Sequence, residues 1–168
     1  KKHQILIGAH NVLWLDYSLI QNRHYKQHML NLLRPDNEIV AIAHPDWEGG
    51  YSLQDMQYLT NYDLVEALDQ NWRSIAHWDA ALSAGRPVFL LSDDDAHDLS
   101  DPYEIQRICT YINTPANKGA ALIKALKSGM AYGAEIYMGN GETFAQKAEQ
   151  ALSIPLVNSV NVTGDTLW

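Results

Sequence analysis

Asp95-x-His97 places a carboxylate and an imidazole two residues apart, directly after the apolar run Pro87-Val-Phe-Leu-Leu91 and Ser92. That donor set suits zinc, manganese or iron. His44-Pro45 follows the apolar run Glu38-Ile-Val-Ala-Ile-Ala43 in the same way. Short β-branched runs bounded by turn residues read as buried parallel strands, and polar groups just past such strands collect at one rim of an α/β fold. The chemistry expected from ligands gathered there is metal-dependent hydrolysis.

Other residues compete for the remaining ligand positions. His3 precedes the apolar Ile5-Leu6-Ile7, and His10 ends the same segment; spacing alone does not separate them. His24 and His28 stand four apart, as two zinc ligands on one helix face would, but no Glu follows His24 and an exposed helix surface is the expectation. His77, beside Trp78, reads as a packing residue. Glu66, in the run Asp63-Leu-Val-Glu-Ala67, is either a rim carboxylate or a salt-bridge or capping partner. Asp93, Asp94 and Asp98 are expected to support or cap, because three adjacent carboxylates cannot all point at one ion. Trp47, Tyr51 and Trp72 are available as an apolar wall.

The elements that must position these groups alternate. Apolar runs at 5–7 and 12–15 predict two short strands or one bent one, and a helix follows from Leu19 to Leu33, stopped by Arg34-Pro35-Asp36-Asn37. A strand at 38–43 comes next, then a short helix capped by Ser52 with Met56 and Leu59 inward, and a strand at 63–67. Trp72 to Ala84 has helical spacing, Gly85 sits where a helix C-terminus is capped, and a strand at 87–91 follows. Beyond the polar loop 93–102 a helix is predicted at 117–128 with a stop at Gly129, then a strand at 131–137, a Gly139-Asn-Gly141 turn, an undecided stretch at 142–152 and a last strand at 156–163. Leu167-Trp168 would begin another strand. Repeated strand–helix alternation points to a parallel sheet or barrel.

Bulk composition narrows the function classes. The chain has 168 residues, 46% hydrophobic and 19% charged, which is ordinary for one folded domain. A formal charge of -8 argues against a surface that neutralises nucleic-acid phosphates. A small phosphorylated substrate remains compatible, since divalent cations supply positive charge locally. The single cysteine, Cys109, leaves no intrachain disulfide and reads as a buried apolar residue. No run approaches the roughly 20 apolar residues of a membrane helix, so a soluble chain of the cytoplasm or periplasm is expected. The abrupt start at Lys1-Lys2-His3 and the abrupt end at Leu167-Trp168 suggest a piece of a longer protein.

Taken together, Ile42-Ala43-His44-Pro45, Trp78-Asp79-x-x-Leu82-Ser83-x-Gly85, Ser92-Asp93-Asp94-Asp95-Ala96-His97-Asp98 and Ala125-Leu126-Lys127-Ser128-Gly129-Met130-Ala131-Tyr132 resemble the polymerase and histidinol phosphatase (PHP) superfamily. The resemblance spans residues 3 to 138. It implies α/β architecture, part of a distorted (β/α)7 TIM-like barrel, with a centre of two or three Zn, Mn or Fe ions hydrolysing phosphate esters. By that resemblance the metal ligands are His3, His44, Asp95 and His97, with His10 as fallback for His3, and Asp95 and His97 also serve catalysis, His97 or a neighbouring acid protonating the leaving oxygen. The family's His-x-His pair and bridging Glu have no counterpart in this sequence. The implied domains are a PHP-like phosphoesterase domain at 1–138 and, at 139–168, a linker with the first strand of a C-terminal β-sandwich. Two other classes stay open: a degenerate PHP-like scaffold or metal-binding module, and an amidohydrolase-like metal enzyme. The latter usually recruits a bridging lysine, whereas Lys118 and Lys124 fall on helical stretches.

Overall fold

The computed structural model describes residues 2–13, 21–136, 141–164 and 166–167. The expected apolar residues Trp14 and Leu15, the helical Ile20, and Tyr137, Gly139 and Asn140 of the expected strand and turn lie outside the described residues, as does Trp168.

The central sheet has four strands in the order β1 (Gln4–Ala9), β2 (Asn37–Ile42), β3 (Leu64–Leu68) and β4 (Phe89–Ser92). β2, β3 and β4 run parallel, while β1 pairs antiparallel to β2 with Gln4 opposite Ile42 and Ala9 opposite Asn37. Alternation along β2 sends its side chains to opposite faces. Val40 and Ile42 pack with Leu30 and Leu33 of α1 (Arg23–Leu33), Met56 of α2 (Leu53–Tyr58), and Ala80 and Ala81 of α3 (Ile75–Ser83). Ile39 and Ala41 pack instead with Leu64, Leu91 and Leu126, the last from α4 (Gly119–Lys127). Helices therefore cover both faces, which is why β2 and β3 read as continuous apolar runs.

Local signals explain where the helices stop and start. Asn22 caps α1 by accepting the Tyr25 N–H at 3.0 Å. Ser52 and Asp55 form a reciprocal capping box on α2, at 3.0 and 2.8 Å. Gly129 ends α4 with φ 70°, and the following Met130 N–H returns to the Ala125 carbonyl at 3.0 Å, closing the helix in the left-handed turn that glycine favours.

The barrel expectation is corrected. A (β/α)7 barrel needs parallel strands hydrogen-bonded in a closed circle, whereas the described strands form an open sheet whose first strand is antiparallel. Beyond β4 the chain makes a separate antiparallel ribbon, β5 (Ile108–Ile112) with β6 (Ala131–Glu135). Its link to β4 is through side chains: Thr110 Oγ1 accepts the Ser92 N–H at 2.8 Å and donates to the Ser92 carbonyl at 2.7 Å. The strand expected over 156–163 is only Val162–Thr163 (β7), paired with Thr166–Leu167 (β8) in a short hairpin. The undecided stretch before it is a helix, α5 (Phe144–Ser153), capped by Thr143.

Candidate functional site

The carboxyl ends of β2, β3 and β4 open on one edge of the sheet, and β1, running the other way, brings its beginning there. The Ala43 N–H donates to the His3 carbonyl at 3.2 Å, which sets His3 beside the end of β2. His10, at the far end of β1, donates its N–H to the Asp36 carbonyl at 3.0 Å. Strand direction thus separates the two histidines that spacing left equivalent.

The imidazoles of His3 and His44 meet, with His3 Nδ1 3.0 Å from His44 Nε2. Their rings are edge-on at a centroid distance of 4.9 Å, and Trp47 stands against both, at 5.4 Å from His3 and 4.8 Å from His44. His44 is only 3% exposed, and its Nδ1 is buried without a hydrogen-bond partner. Its backbone has φ 23°, a left-handed setting that costs a non-glycine residue energy and persists only where surrounding contacts hold it. Two contacts do so here: Pro45 fixes the next φ, and Glu66 Oε2 accepts the His44 N–H.

Glu66 is 1% exposed and lies where the β3–β4 register shifts, a bulge that re-aims its side chain toward the strand ends. Burial raises its carboxyl well above the usual carboxylate range; a hydrogen bond with Asp93 and the charges of Asp93 and Asp69 act in the same direction, and the His44 N–H opposes them. Asp69, also 1% exposed, follows β3 and accepts the Asn71 and Trp72 N–H groups at 2.6 and 2.8 Å. Burial pushes its pKa above the ordinary aspartate value against those two donors, and the neighbouring Asp95 charge adds to the rise. Two buried carboxyls, Glu66 and Asp69, thus stand at the end of β3, with Glu66 tied to the His44 backbone.

The loop after β4 divides its acids by task. Asp94 accepts the N–H groups of Gln106, Arg107 and Ile108 at 2.7 to 2.9 Å, and Asp98 caps Ser100 at 2.8 Å. Asp93 Oδ1 accepts the Asp95 N–H at 2.9 Å, and Asp95 has φ 48°. Asp95 is half-buried and shares the field of Asp69. His97 is exposed, its backbone tied to Glu104 at 2.6 Å. The structure therefore joins His3 with His44 and sets Asp95 in the carboxylate group beside them. Among the described residues no three His, Cys, Asp or Glu side chains converge tightly enough to hold an ion.

Comparison with known proteins adds little. No protein-family model matches the chain, and no curated protein matches it. The crystal structure of PsfC from Pseudomonas syringae PB-5123 is similar at 13% identity and a TM-score of 0.47, over 90% of this chain and 62% of PsfC. The chain thus spans less than two thirds of that protein's length.

The remaining predicted residues have plain roles. His24 and His28 are exposed on α1. His77 is buried, its Nε2 3.0 Å from the Tyr51 carbonyl. Tyr51 is buried with its hydroxyl accepting from Gln4 at 2.6 Å, which makes it core rather than substrate wall. Cys109 is half-buried in β5, not fully buried. Asp69 escaped sequence reasoning, although its position directly after the Leu64–Leu68 run is the same signal that drew attention to Asp93 and Asp95. Among the described residues no helix is long and apolar enough to cross a membrane.

Proposed function

We propose that this chain carries part of a divalent-metal centre for hydrolysis of small phosphate esters, of the kind found in the PHP superfamily. The observation that supports it is the 3.0 Å approach of His3 Nδ1 to His44 Nε2 at the edge where the parallel strands end. Two nitrogens bound to one tetrahedral zinc lie about 3.3 Å apart, so the pair needs only a small adjustment to share an ion. His3 and His44 would hold it, with Asp95 and His97 as the further ligands that the resemblance implies. Bound by these residues, a divalent ion would supply a lowered pKa for a water and polarisation of a phosphoryl oxygen.

The chain's own residues do the rest. Glu66 holds the His44 N–H and Asp93 the Asp95 N–H, Trp47 stands against the imidazole pair, and His97, where it is not a ligand, or a neighbouring acid would protonate the leaving oxygen. Lys124 lines a hollow with His10 and Glu38, away from the His3–His44 pair, which disfavours the amidohydrolase alternative. A second reading, a metal- or ligand-binding module without catalysis, is favoured by the lack of three converging donors among the described residues.

Zinc or manganese affinity of the wild type, His3→Ala and His44→Ala, with turnover of p-nitrophenyl phosphate in the presence of each metal, separates the two. Each variant is expected to weaken binding at least about tenfold and to lose turnover. Tight binding without turnover supports the binding module, and equal binding by wild type and both variants removes the centre altogether.

A further inference from the structure

We propose that α5 fastens the loop after β4, and that Lys147 is the positioning residue that sets the backbone of His97 from outside the candidate centre. Among the described residues of α5 only Lys147 is buried, at 2% exposure. Its Nζ donates to the Pro102 and Ile105 carbonyls, 45 and 42 positions earlier in the chain, the latter at 2.8 Å. Between those two residues stands Glu104, whose Oε2 accepts the His97 and Asp98 N–H groups at 2.6 and 2.8 Å. Hydrogen bonds and a short stretch of backbone therefore connect the ammonium on α5 to the His97 amide.

The way α5 is held shows why this lysine matters. A helix normally docks by an apolar stripe, yet Phe144 and Leu152 of α5 are 39% and 89% exposed. Polar contacts hold it instead. The Tyr111 hydroxyl donates to the Ala151 carbonyl at 2.7 Å, and just beyond the helix the Tyr132 hydroxyl donates to the Pro155 carbonyl at 3.0 Å. The two tyrosine rings stack with centroids 5.3 Å apart, so the β5–β6 ribbon anchors the C-terminal end of α5. Burying an ammonium is unfavourable unless its protons find acceptors, and both acceptors here belong to the loop. A methionine would fill the same space without that requirement, so packing alone does not call for a lysine. Asp94 holds the far end of the loop, at Gln106 to Ile108, whereas Lys147 holds the stretch that presents Glu104. The consequence for metal binding rests on the proposed function; the fastening does not.

Amide–water exchange of the 15N-labelled, metal-free chain, read by NMR, tests the fastening, and zinc affinity measured against a chromophoric chelator tests its consequence. Lys147→Met is expected to speed exchange at His97 and Asp98 about tenfold or more, the factor that a hydrogen bond to a charged group supplies at the least, while Ile39 and Leu64 keep their protection. Lys147→Arg retains a cation able to donate to both carbonyls and should restore slow exchange at both amides. Zinc affinity should fall about tenfold in Lys147→Met, the lower end of the usual effect of removing a group that supports a metal ligand, and recover in Lys147→Arg. If Lys147→Met does not fold, Ala148→Pro, at an exposed position of α5, breaks the helix without opening a cavity in the core, and exchange at His97 and Asp98 must rise in the same way. The proposal is overturned if Lys147→Met or Ala148→Pro leaves those two amides unchanged, if Lys147→Met speeds Ile39 and Leu64 by the same factor, or if Lys147→Arg exchanges as fast as Lys147→Met. Unchanged zinc affinity in a variant whose His97 amide has been released overturns the positioning role. Absence of zinc binding in the wild type sinks the metal reading instead, and the exchange rates still decide the fastening.

Discussion

Gly133 in β6 lies so close to Ser92 in β4 that a Cβ there would meet Ser92 Oγ at 2.1 Å and Leu90 Cδ2 at 2.9 Å. The ribbon can approach the central sheet only because that side chain is missing. Gly133→Ala is expected to destabilise the protein by about 1–3 kcal/mol, the usual cost of overpacking, read from the urea midpoint. Ser92→Ala in the same chain should recover part of the loss, since Oγ is the worst contact. A second test concerns Lys26, buried on α1 and ion-paired with Asp55 of α2. Lys26 occupies an inward position that apolar spacing did not mark. Asp55→Ala strands the buried ammonium and should cost about 3–5 kcal/mol. Pairing Lys26→Met with Asp55→Leu should recover most of it, short of the roughly 1 kcal/mol that Asp55 contributes as a capping partner of Ser52.

Among elements, those with strong punctuation were legible. The strands before His44 and Asp93 and the helix ending at Gly85 were all readable, because β-branched runs, Ser caps and Gly stops act locally. β5 was missed: Ile108-Cys-Thr-Tyr-Ile112 carries two polar residues inside a short run and no turn signal before it, so periodicity gave nothing to hold. In the 93–107 loop Asp94 collects three successive N–H groups from the far end, while Glu104 takes the His97 and Asp98 N–H groups and Lys147 donates to the Pro102 and Ile105 carbonyls. Asp94→Ala should release that end. Limited proteolysis is expected to cut between 97 and 106 several-fold faster in the variant, with little change in the melting temperature, because the loop contributes few core contacts. Equal cutting rates would show that the loop is held by something else.

At the scale of the molecule, sequence rhythm conveyed the layers and not the closure. Helices on both faces of a parallel β2–β3–β4 core follow from continuous apolar runs, but pairing direction is invisible to hydrophobic periodicity, and so the antiparallel β1 and the β5–β6 ribbon overturned the barrel. The strand ends that carry His44 and Asp93 were legible, whereas the meeting of His3 with His44 follows from the direction of β1, which periodicity does not show. Stability of the whole chain should carry the Asp55 signature. Burial pushes its carboxyl up, but the hydrogen bonds from Lys26 and Ser52 and the Lys26 charge outweigh that and hold it below its ordinary value of 3.8. The unfolded chain takes up the proton first as pH falls, so this stabilisation is complete above pH 3.8 and lost as pH drops through the lower folded value. The urea midpoint should fall more steeply below pH 3.8 in the wild type than in Asp55→Asn, with the two curves parallel above it.

The antiparallel register of β1 gives the imidazole pair one more role. A slip of one residue against β2 would replace His3 by Lys2 or Gln4 beside His44 and turn every side chain of β1 to the opposite face. β1 is also the edge strand of its sheet, the position most open to fraying and to pairing with foreign chains. An ion shared by His3 and His44 would work as a latch on that edge. Free energy gained by binding it accrues only to the correctly registered sheet, growing as RT ln(1 + [L]/Kd). Zinc is then expected to suppress self-association of the chain as well as to raise its melting temperature, and His3→Ala, which leaves the sheet intact, should abolish both effects.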